Sequence, residues 1–444
     1  MRHIYEDLAY GPVPDNGNFW RSTVAHAPDA PPVSGAMSCD VAVIGGGFTG
    51  LNAALALAQA GRHVIVADAQ APGWGASGRN GGFCCLGGAK ASPATLKARY
   101  GEADAKAYFR AEANAVAHVE ALLDTHGIEA DTHSQGETLV AHRPSARAAL
   151  EEHAREISAI HGVACQVIGP DAMAEHGMKN AAFHGAVTNP IGFALNPLKY
   201  HHGLARAAVA AGARLCAQSP VTSLGRAPDG RHLLGTPGGQ ITAKTLVVAT
   251  NGYSSDTVPR WLAGRYLPAQ SNIIVTRPLS DGELADQGWT TRQMCFDTRH
   301  LLHYFRLMPD NRMLFGMRGS WRTTRSSLDR AARAARRDFD RTFPAWRHVD
   351  TDHGWSGLVC LSRNLTPFAG PVPGLENAYA ALAYHGNGVS MGSYAGRLIA
   401  DQILGTGRDT PALMRRPMRR FELGPLRRLS LPLAYAWYTV KDGF

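Results

Sequence analysis

The 444-residue chain is 45% hydrophobic and 18% charged, with 48 glycines, 26 prolines and a formal net charge of +9. That balance excludes a disordered or fibrous chain and fits a globular protein long enough for two domains. The charge is localised, because residues 318–341 carry eight arginines against three aspartates and residues 405–444 seven arginines and one lysine against three acids. No repeated aromatic–basic interleaving accompanies these runs, so solvated surfaces are expected and no nucleic-acid partner.

Residues 1–38 read as an irregular, proline-rich extension without the apolar stretch of a secretory signal, which makes a cytoplasmic location the expectation. At 40–44 "DVAVI" is a short β-branched run, the texture of a strand buried on both faces. "GGGFTG" (45–50) follows, then the helical pattern "LNAALALAQAG" and a second buried strand, "HVIVAD" (63–68). This is a βαβ unit. Helices are expected over 93–126, 144–162 and the start of 196–215, with a strand closing the last of these. A hairpin and a buried strand are expected over 231–254 and antiparallel sheet over 265–320. A basic helix is expected over 326–342, and strand, glycine turn and helix over 376–404. The closing "LPLAYAWYTV" is too short to span a bilayer. Seven cysteines, odd in number and scattered, imply no disulfide framework, and Cys84-Cys85 has no zinc spacing, so no metal site is expected.

Gly45, Gly47 and Gly50 form GxGxxG in the context that gives it meaning. Gly45 permits the turn, Gly47 lets amides approach a pyrophosphate, and Gly50 lets the helix pack on the sheet. Asp68, ending the second strand, is placed to accept hydrogen bonds from an adenosine ribose, which disfavours NADP. The fingerprint alone leaves FAD and NAD open. "GASGRNGGFCC" (75–85) follows within the same apparent unit. It reads as a backbone surface for a flat ligand rather than a linker, with Arg79 and Asn80 supplying polar groups.

Together "VIGGGFTGLNAALALAQAGRHVIVADA", "GWGASGRNGG", "NPLKYHHGLARAA", "ATNGYS" and "WSGL…TPFAG…AYHGNGVSMGSYAG" resemble the FAD-dependent amine and amino-acid oxidases of the D-amino-acid oxidase superfamily, over about residues 39–405. The GASGRNGG variant is most similar to the γ-glutamylputrescine oxidoreductase-like branch. The resemblance implies an α/β protein in which a Rossmann-like FAD-binding domain is interwoven with an α+β substrate domain containing a mainly antiparallel sheet. The expected division is 39–128, 196–252 and 352–405 for FAD, 129–195 and 253–351 for substrate, and a basic tail at 406–444.

Flavin contacts are implied at Gly45, Gly47, Phe48, Thr49, Gly50, Asp68, Ala69, Ser77, Gly78, Arg79, Asn80, Gly81, Gly82, Val221, Thr250, Asn251 and Gly252. Others are implied at Gly386, Asn387, Gly388, Val389 and Ser390, where a helix start would face the flavin N1–C2=O edge. FAD is expected to be held non-covalently. A link at Cys360 is the alternative, one position out of register with the flavin-bonded cysteine of sarcosine oxidases. Tyr304, Arg306, Arg318, Trp355 and His385 are the candidate pocket residues, with Arg306 or Arg318 for a substrate anion.

The implied reaction is oxidation of a small primary or secondary amine or amino acid by hydride transfer to flavin N5. The imine then hydrolyses to aldehyde or keto acid, and oxygen (giving H2O2) or another acceptor reoxidises the flavin. A tRNA-modifying flavoprotein and a hydroxy-acid dehydrogenase are the alternatives.

Overall fold

The computed structural model describes residues 2–12, 15, 17–407 and 409–443. Of the expected N-terminal extension and basic tail, Met1, Val13, Pro14, Asn16, Arg408 and Phe444 therefore lie outside the described residues. Among the helices are α1 (Phe48–Gln59), α2 (Pro93–Tyr100), α3 (Glu102–Thr125), α4 (Arg147–His161), α5 (Pro197–Ala210), α6 (Arg325–Thr342), α7 (Ser390–Leu404) and α8 (Ser430–Asp442). The helical stretch expected over 93–126 is split at Gly101, whose φ of 86° breaks the helical path.

The first sheet runs in the order Phe368–Pro371, Ala378–Leu382, Gly239–Val248, Gly35–Ile44, Val64–Ala67 and Arg214–Cys216. Its central pairs are parallel. Parallel strands need helices on their faces, and the continuous apolar run Val41–Ile44 is buried on both. The helix α1 lies against α7 so closely that a Cβ on Gly396 would sit 2.1 Å from the Thr49 carbonyl oxygen. Small residues thus bring two helix backbones together and fix where α7 begins.

The second sheet is ordered His353–Ser362, Tyr266–Val275, Met313–Arg318, Tyr304–Leu307, Met294–Asp297, Glu137–Val140, Ala186–Asn189 and Gln166–Ile168. It is antiparallel throughout except where Met294–Asp297 meets Glu137–Val140. Two boundaries differ from the sequence reading. The strand His353–Ser362 pairs along its whole length with Tyr266–Val275, so the return to the nucleotide-binding unit falls after Ser362 rather than at 352. The first central strand begins at Gly35, inside the expected extension, because Gly35–Cys39 pair with Gly239–Ala243.

The basic helix α6 packs Ala335 and Phe339 on the second sheet, in a core with Phe305, Phe315, Phe343 and Trp346. Its buried Asp338 lies 3.6 Å from His303, which is also 3.2 Å from Asp297. Burial alone would lower the His303 pKa, but the two aspartates raise it above 6.5. A group raised in the folded state stabilises fully below its unfolded value and loses that contribution as pH rises through its folded one. Thermal unfolding of the wild type is therefore expected to lose stability from about pH 6.5 upward, and His303→Gln to lack that slope. A parallel slope in both proteins would contradict the ion-pair account.

Candidate active site

A cavity of about 700 Å³ lies between the C-terminal ends of the parallel strands and one face of the second sheet. At one end Gly45, Gly46, Gly47, Asp68, Gln70 and Val221 line it. Gly45 takes φ of 102° and packs against the Ala249 carbonyl. Asp68 accepts from the Gly46 amide at 2.6 Å and the Gln70 amide at 2.9 Å, while burial raises its pKa. The Ser77 hydroxyl accepts from the Phe48 amide at 2.9 Å, tying the second glycine loop to the fingerprint.

Several expected contact residues line the cavity: Phe48, Thr49, Ala69, Ser77, Arg79, Asn80, Gly81, Thr250, Asn251, Gly386, Asn387, Gly388 and Val389. Gly50, Gly78, Gly82, Gly252 and Ser390 stand behind the wall, and their parts are structural. A Cβ on Gly78 would lie 2.0 Å from the Gly73 carbonyl oxygen and one on Gly82 2.0 Å from that of Leu195. Ser390 donates to the Cys85 carbonyl at 2.6 Å, seating the start of α7.

The pocket candidates separate in the same way. Tyr304, Arg318 and His385 line the cavity, whereas Arg306 and Trp355 do not. Arg306 is turned inward, donating to the carbonyls of Gly81 (3.0 Å) and Leu195 (2.7 Å), so it braces the flavin loop instead of meeting a substrate anion. The indole N–H of Trp355 donates to the Arg79 carbonyl at 2.8 Å and serves that loop too. Tyr304 is wedged between Gly81 and Gly316, with its hydroxyl 3.0 Å from the Ser271 hydroxyl. Arg318, opposite Ser271 in the sheet, has no ion-pair partner among the described residues. His385 Nδ1 donates to the Gly88 carbonyl at 2.7 Å and Nε2 accepts from the Ser362 amide at 3.2 Å. Burial leaves it with a pKa of about 4, so it is neutral at pH 7, and its two backbone partners hold the turn.

Local reading of the sequence missed His3 and Tyr10, which line the cavity from the N-terminal segment. That segment clasps the flavin loop: Asp15 lies 3.2 Å from Arg79, Asn18 donates to the Gly78 carbonyl, and Trp20 donates to that of Asn80. It also missed His201, whose Nε2 lies 2.7 Å from the Gly46 carbonyl oxygen, and Glu112 and Glu137. A detectable signal existed for Glu112, an acid in the apolar stripe of Ala105, Tyr108, Phe109, Val116 and Val119.

The cavity suits a dinucleotide bearing a flat ring. Arg79, 2% exposed and stacked 3.9 Å from the Trp74 ring centroid, lines the cavity and carries a buried Nη2 with no hydrogen-bond partner. A Cβ on Gly386 would meet nothing within 4 Å, so open space faces that backbone. The first turn of α7, with Val389 at its N-cap and no side-chain cap, presents the positive end of the helix to the same space. A glycine turn, an acid at the end of the second strand, a buried guanidinium with an unpartnered Nη2 and a helix N-terminus on one cavity fit a flavin-dinucleotide oxidoreductase.

The family model described as FAD dependent oxidoreductase (DAO) matches residues 40–402, and the chain belongs to that family. Relatives include a probable oxidoreductase OrdL from Haemophilus influenzae, 31% identical over 84% of this chain and 85% of that one. The gamma-glutamylputrescine oxidoreductase of Escherichia coli is 30% identical over 91% of this chain and 93% of that one. Glycine oxidase from Geobacillus kaustophilus shares the fold with a TM-score of 0.71 and 21% identity, covering 87% of this chain and 100% of that one. Iminodiacetate oxidase from Chelativorans sp. BNC1 does so with a TM-score of 0.69 and 20% identity, covering 85% and 98%. The cofactor is FAD, as the sequence resemblance implies.

Cys360 lines the cavity but is 1% exposed, and burial pushes its thiol up to about 12. A thiol so held is a poor nucleophile. Acid precipitation is expected to release all the FAD into the supernatant, and Cys360→Ala to be as yellow as the wild type. Colour retained in the pellet would establish the covalent alternative.

Among the described residues no helix is long and apolar enough to cross a membrane, and no group of His, Cys, Asp and Glu is arranged to hold a metal.

Proposed function

We propose that this protein oxidises a small primary or secondary amine or amino acid at the carbon bearing nitrogen, giving an imine that water hydrolyses to aldehyde or keto acid. The observation that carries this reading is the shared cavity, in which a dinucleotide cradle opens directly onto Tyr304 and the unpaired Arg318. The E. coli gamma-glutamylputrescine oxidoreductase and the two solved amine-substrate oxidases support the same class.

When bound, FAD supplies the two-electron acceptor for the C–H bond. The chain's own residues bind and place the substrate. Arg318 offers a bidentate site for a carboxylate, and the Tyr304 hydroxyl, shared with Ser271, offers a hydrogen bond beside it. His385, fixed neutral by two backbone partners, adds no charge to repel an ammonium as it approaches. The substrate must therefore arrive as, or become, the free amine, and alignment and water exclusion do the remaining work.

Anaerobic titration with an amine panel and a hydroxy-acid panel, following loss of flavin absorbance near 450 nm (roughly the band of a bound flavin), tests this. Bleaching by amines supports it, and bleaching by hydroxy acids alone overturns it. Readmitting air then separates a protein reoxidised by oxygen, whose colour returns within seconds, from one using another acceptor.

A further inference from the structure

The last helix, α8, is apolar on two opposite faces. Leu431, Tyr435, Tyr438 and Asp442 recur at helical spacing and face the body of the protein. Leu431 and Tyr435 pack with Tyr5 and Leu267, and Tyr438 stacks on His300 with ring centroids 5.2 Å apart. Asp442 accepts from the amides of His300 and Leu301 at 2.8 and 3.0 Å. Just ahead of the helix, the buried Arg427 forks onto Asp256 at 2.6 and 3.1 Å. The helix is thus fixed with its other face outward.

That outer face consists of Leu433, Ala436, Trp437 and Val440, again at helical spacing. Leu433 is 75% exposed, Trp437 60% and Val440 73%. Leu423, Leu426 and Leu429 extend the exposed apolar run ahead of the helix. Apart from Val167 and Val209, every large apolar side chain left exposed among the described residues lies in 423–440. A concentration of this kind marks a surface that something covers.

Charge says what covers it. Residues 411–441 carry six arginines and one lysine against a single acid, Glu422, which Arg363 meets at 2.7 Å. Arg427 and Arg428 are paired with Asp256 and Glu6. Arg419 and Arg420 stand exposed before Leu423 with no acid partner among the described residues. At the other end the Lys441 ammonium lies 5.1 Å over the Trp437 ring, and Arg143 donates to the Lys441 carbonyl at 3.2 Å. A second copy docking face to face about a two-fold axis would set these cations against their own mates. An anionic bilayer takes both features, with the apolar side chains at the acyl boundary and the cations on phosphates. An indole beneath an ammonium suits that boundary.

We propose that α8 is a membrane-docking helix, lying in the interface of an anionic phospholipid bilayer through Leu433, Trp437 and Val440, with Arg419, Arg420 and Lys441 on the headgroups. Because Asp442 holds the backbone next to Leu302, which lines the flavin cavity, docking sets that side of the cavity beside the bilayer.

Co-sedimentation of the holoprotein with lipid vesicles tests this without reference to any turnover. The wild type is expected to bind phosphatidylcholine vesicles containing about one-third phosphatidylglycerol at least roughly 10-fold more tightly than pure phosphatidylcholine, and to lose most of that preference in about 1 M salt. The triple variant Leu433→Ser, Trp437→Ser, Val440→Ser should bind at least roughly 30-fold more weakly at unchanged flavin content, since these side chains face solvent. Arg419→Gln with Arg420→Gln should weaken binding to the anionic vesicles by roughly 10-fold. Val167→Ser, exposed elsewhere, should bind as the wild type does. A wild type that leaves anionic vesicles unbound overturns the proposal, as does a triple variant that binds them equally well. Sedimentation velocity then separates the other occupants. A dimer abolished by the triple variant assigns the face to a second copy, and a monomer that ignores vesicles assigns it to another protein; each overturns the lipid reading.

Discussion

Gly50→Ala is expected to purify colourless and to remain so when FAD is added, with affinity reduced more than roughly 100-fold. A Cβ at this position would lie 1.9 Å from the Gly45 carbonyl oxygen and 3.1 Å from Val43 Cγ1. The first obstacle is backbone, which cannot step aside as a flexible side chain would. Relief requires opening the turn at Gly45 or lifting α1 off the sheet, and each moves the amides at Gly46 and Gly47 away from the pyrophosphate position. Stability should fall as well, by about 1–3 kcal/mol. Gly225→Ala is the control, because its Cβ would meet nothing within 4 Å, and it should leave FAD content unchanged. Flavin absorbance per protein and equilibrium dialysis with FAD read the result. A yellow Gly50→Ala protein with wild-type affinity would show that the fingerprint is not the pyrophosphate site.

Arg306→Met is expected to lower stability by about 3–5 kcal/mol and to weaken flavin retention with it. The guanidinium is 1% exposed and bridges Gly81 of the flavin loop to Leu195, with His133 Nε2 3.0 Å from its third nitrogen. Burial lowers its pKa to about 9, so at pH 7 it remains charged while resting on carbonyl oxygens rather than on a carboxylate. Methionine fills similar volume but leaves two buried carbonyls without donors, and Gly81 loses the contact that holds it under Tyr304. Urea unfolding followed by flavin and tryptophan fluorescence should show both signals shifting to lower denaturant. Unchanged stability with a raised KM for carboxylated amines alone would return Arg306 to the substrate-binding role expected from the sequence.

The parts of the site legible in the sequence are those written locally. Gly45, Gly47, Gly50 and Asp68 occupy one βαβ unit, so their spacing carries their geometry. The turn at Gly386–Ser390 was legible for the same reason, since a glycine turn before a helix announces a helix N-terminus. Long-range pairing was not legible. Nothing within His353–Ser362 says that its partner is Tyr266–Val275, and so those residues were placed with the flavin-binding unit. Nor could local pattern distinguish Arg318 from Arg306, which sit on neighbouring antiparallel strands in similar sequence contexts. Only the carbonyls of Gly81 and Leu195, more than a hundred residues away, divert one of them from the cavity. The proline-rich start was read as an extension because Asp15, Asn18 and Trp20 find partners about sixty residues downstream.

That clasp, together with the turn before α7, bears on biosynthesis. The pocket's contributors are strung along the polypeptide from His3 to Val389. A nascent chain emerging from the ribosome can assemble the βαβ unit early, but it cannot enclose the vitamin-derived ligand until nearly nine-tenths of translation is complete. Flavin capture is therefore a late event in folding, and His3 in the N-terminal segment is among the residues that complete the enclosure.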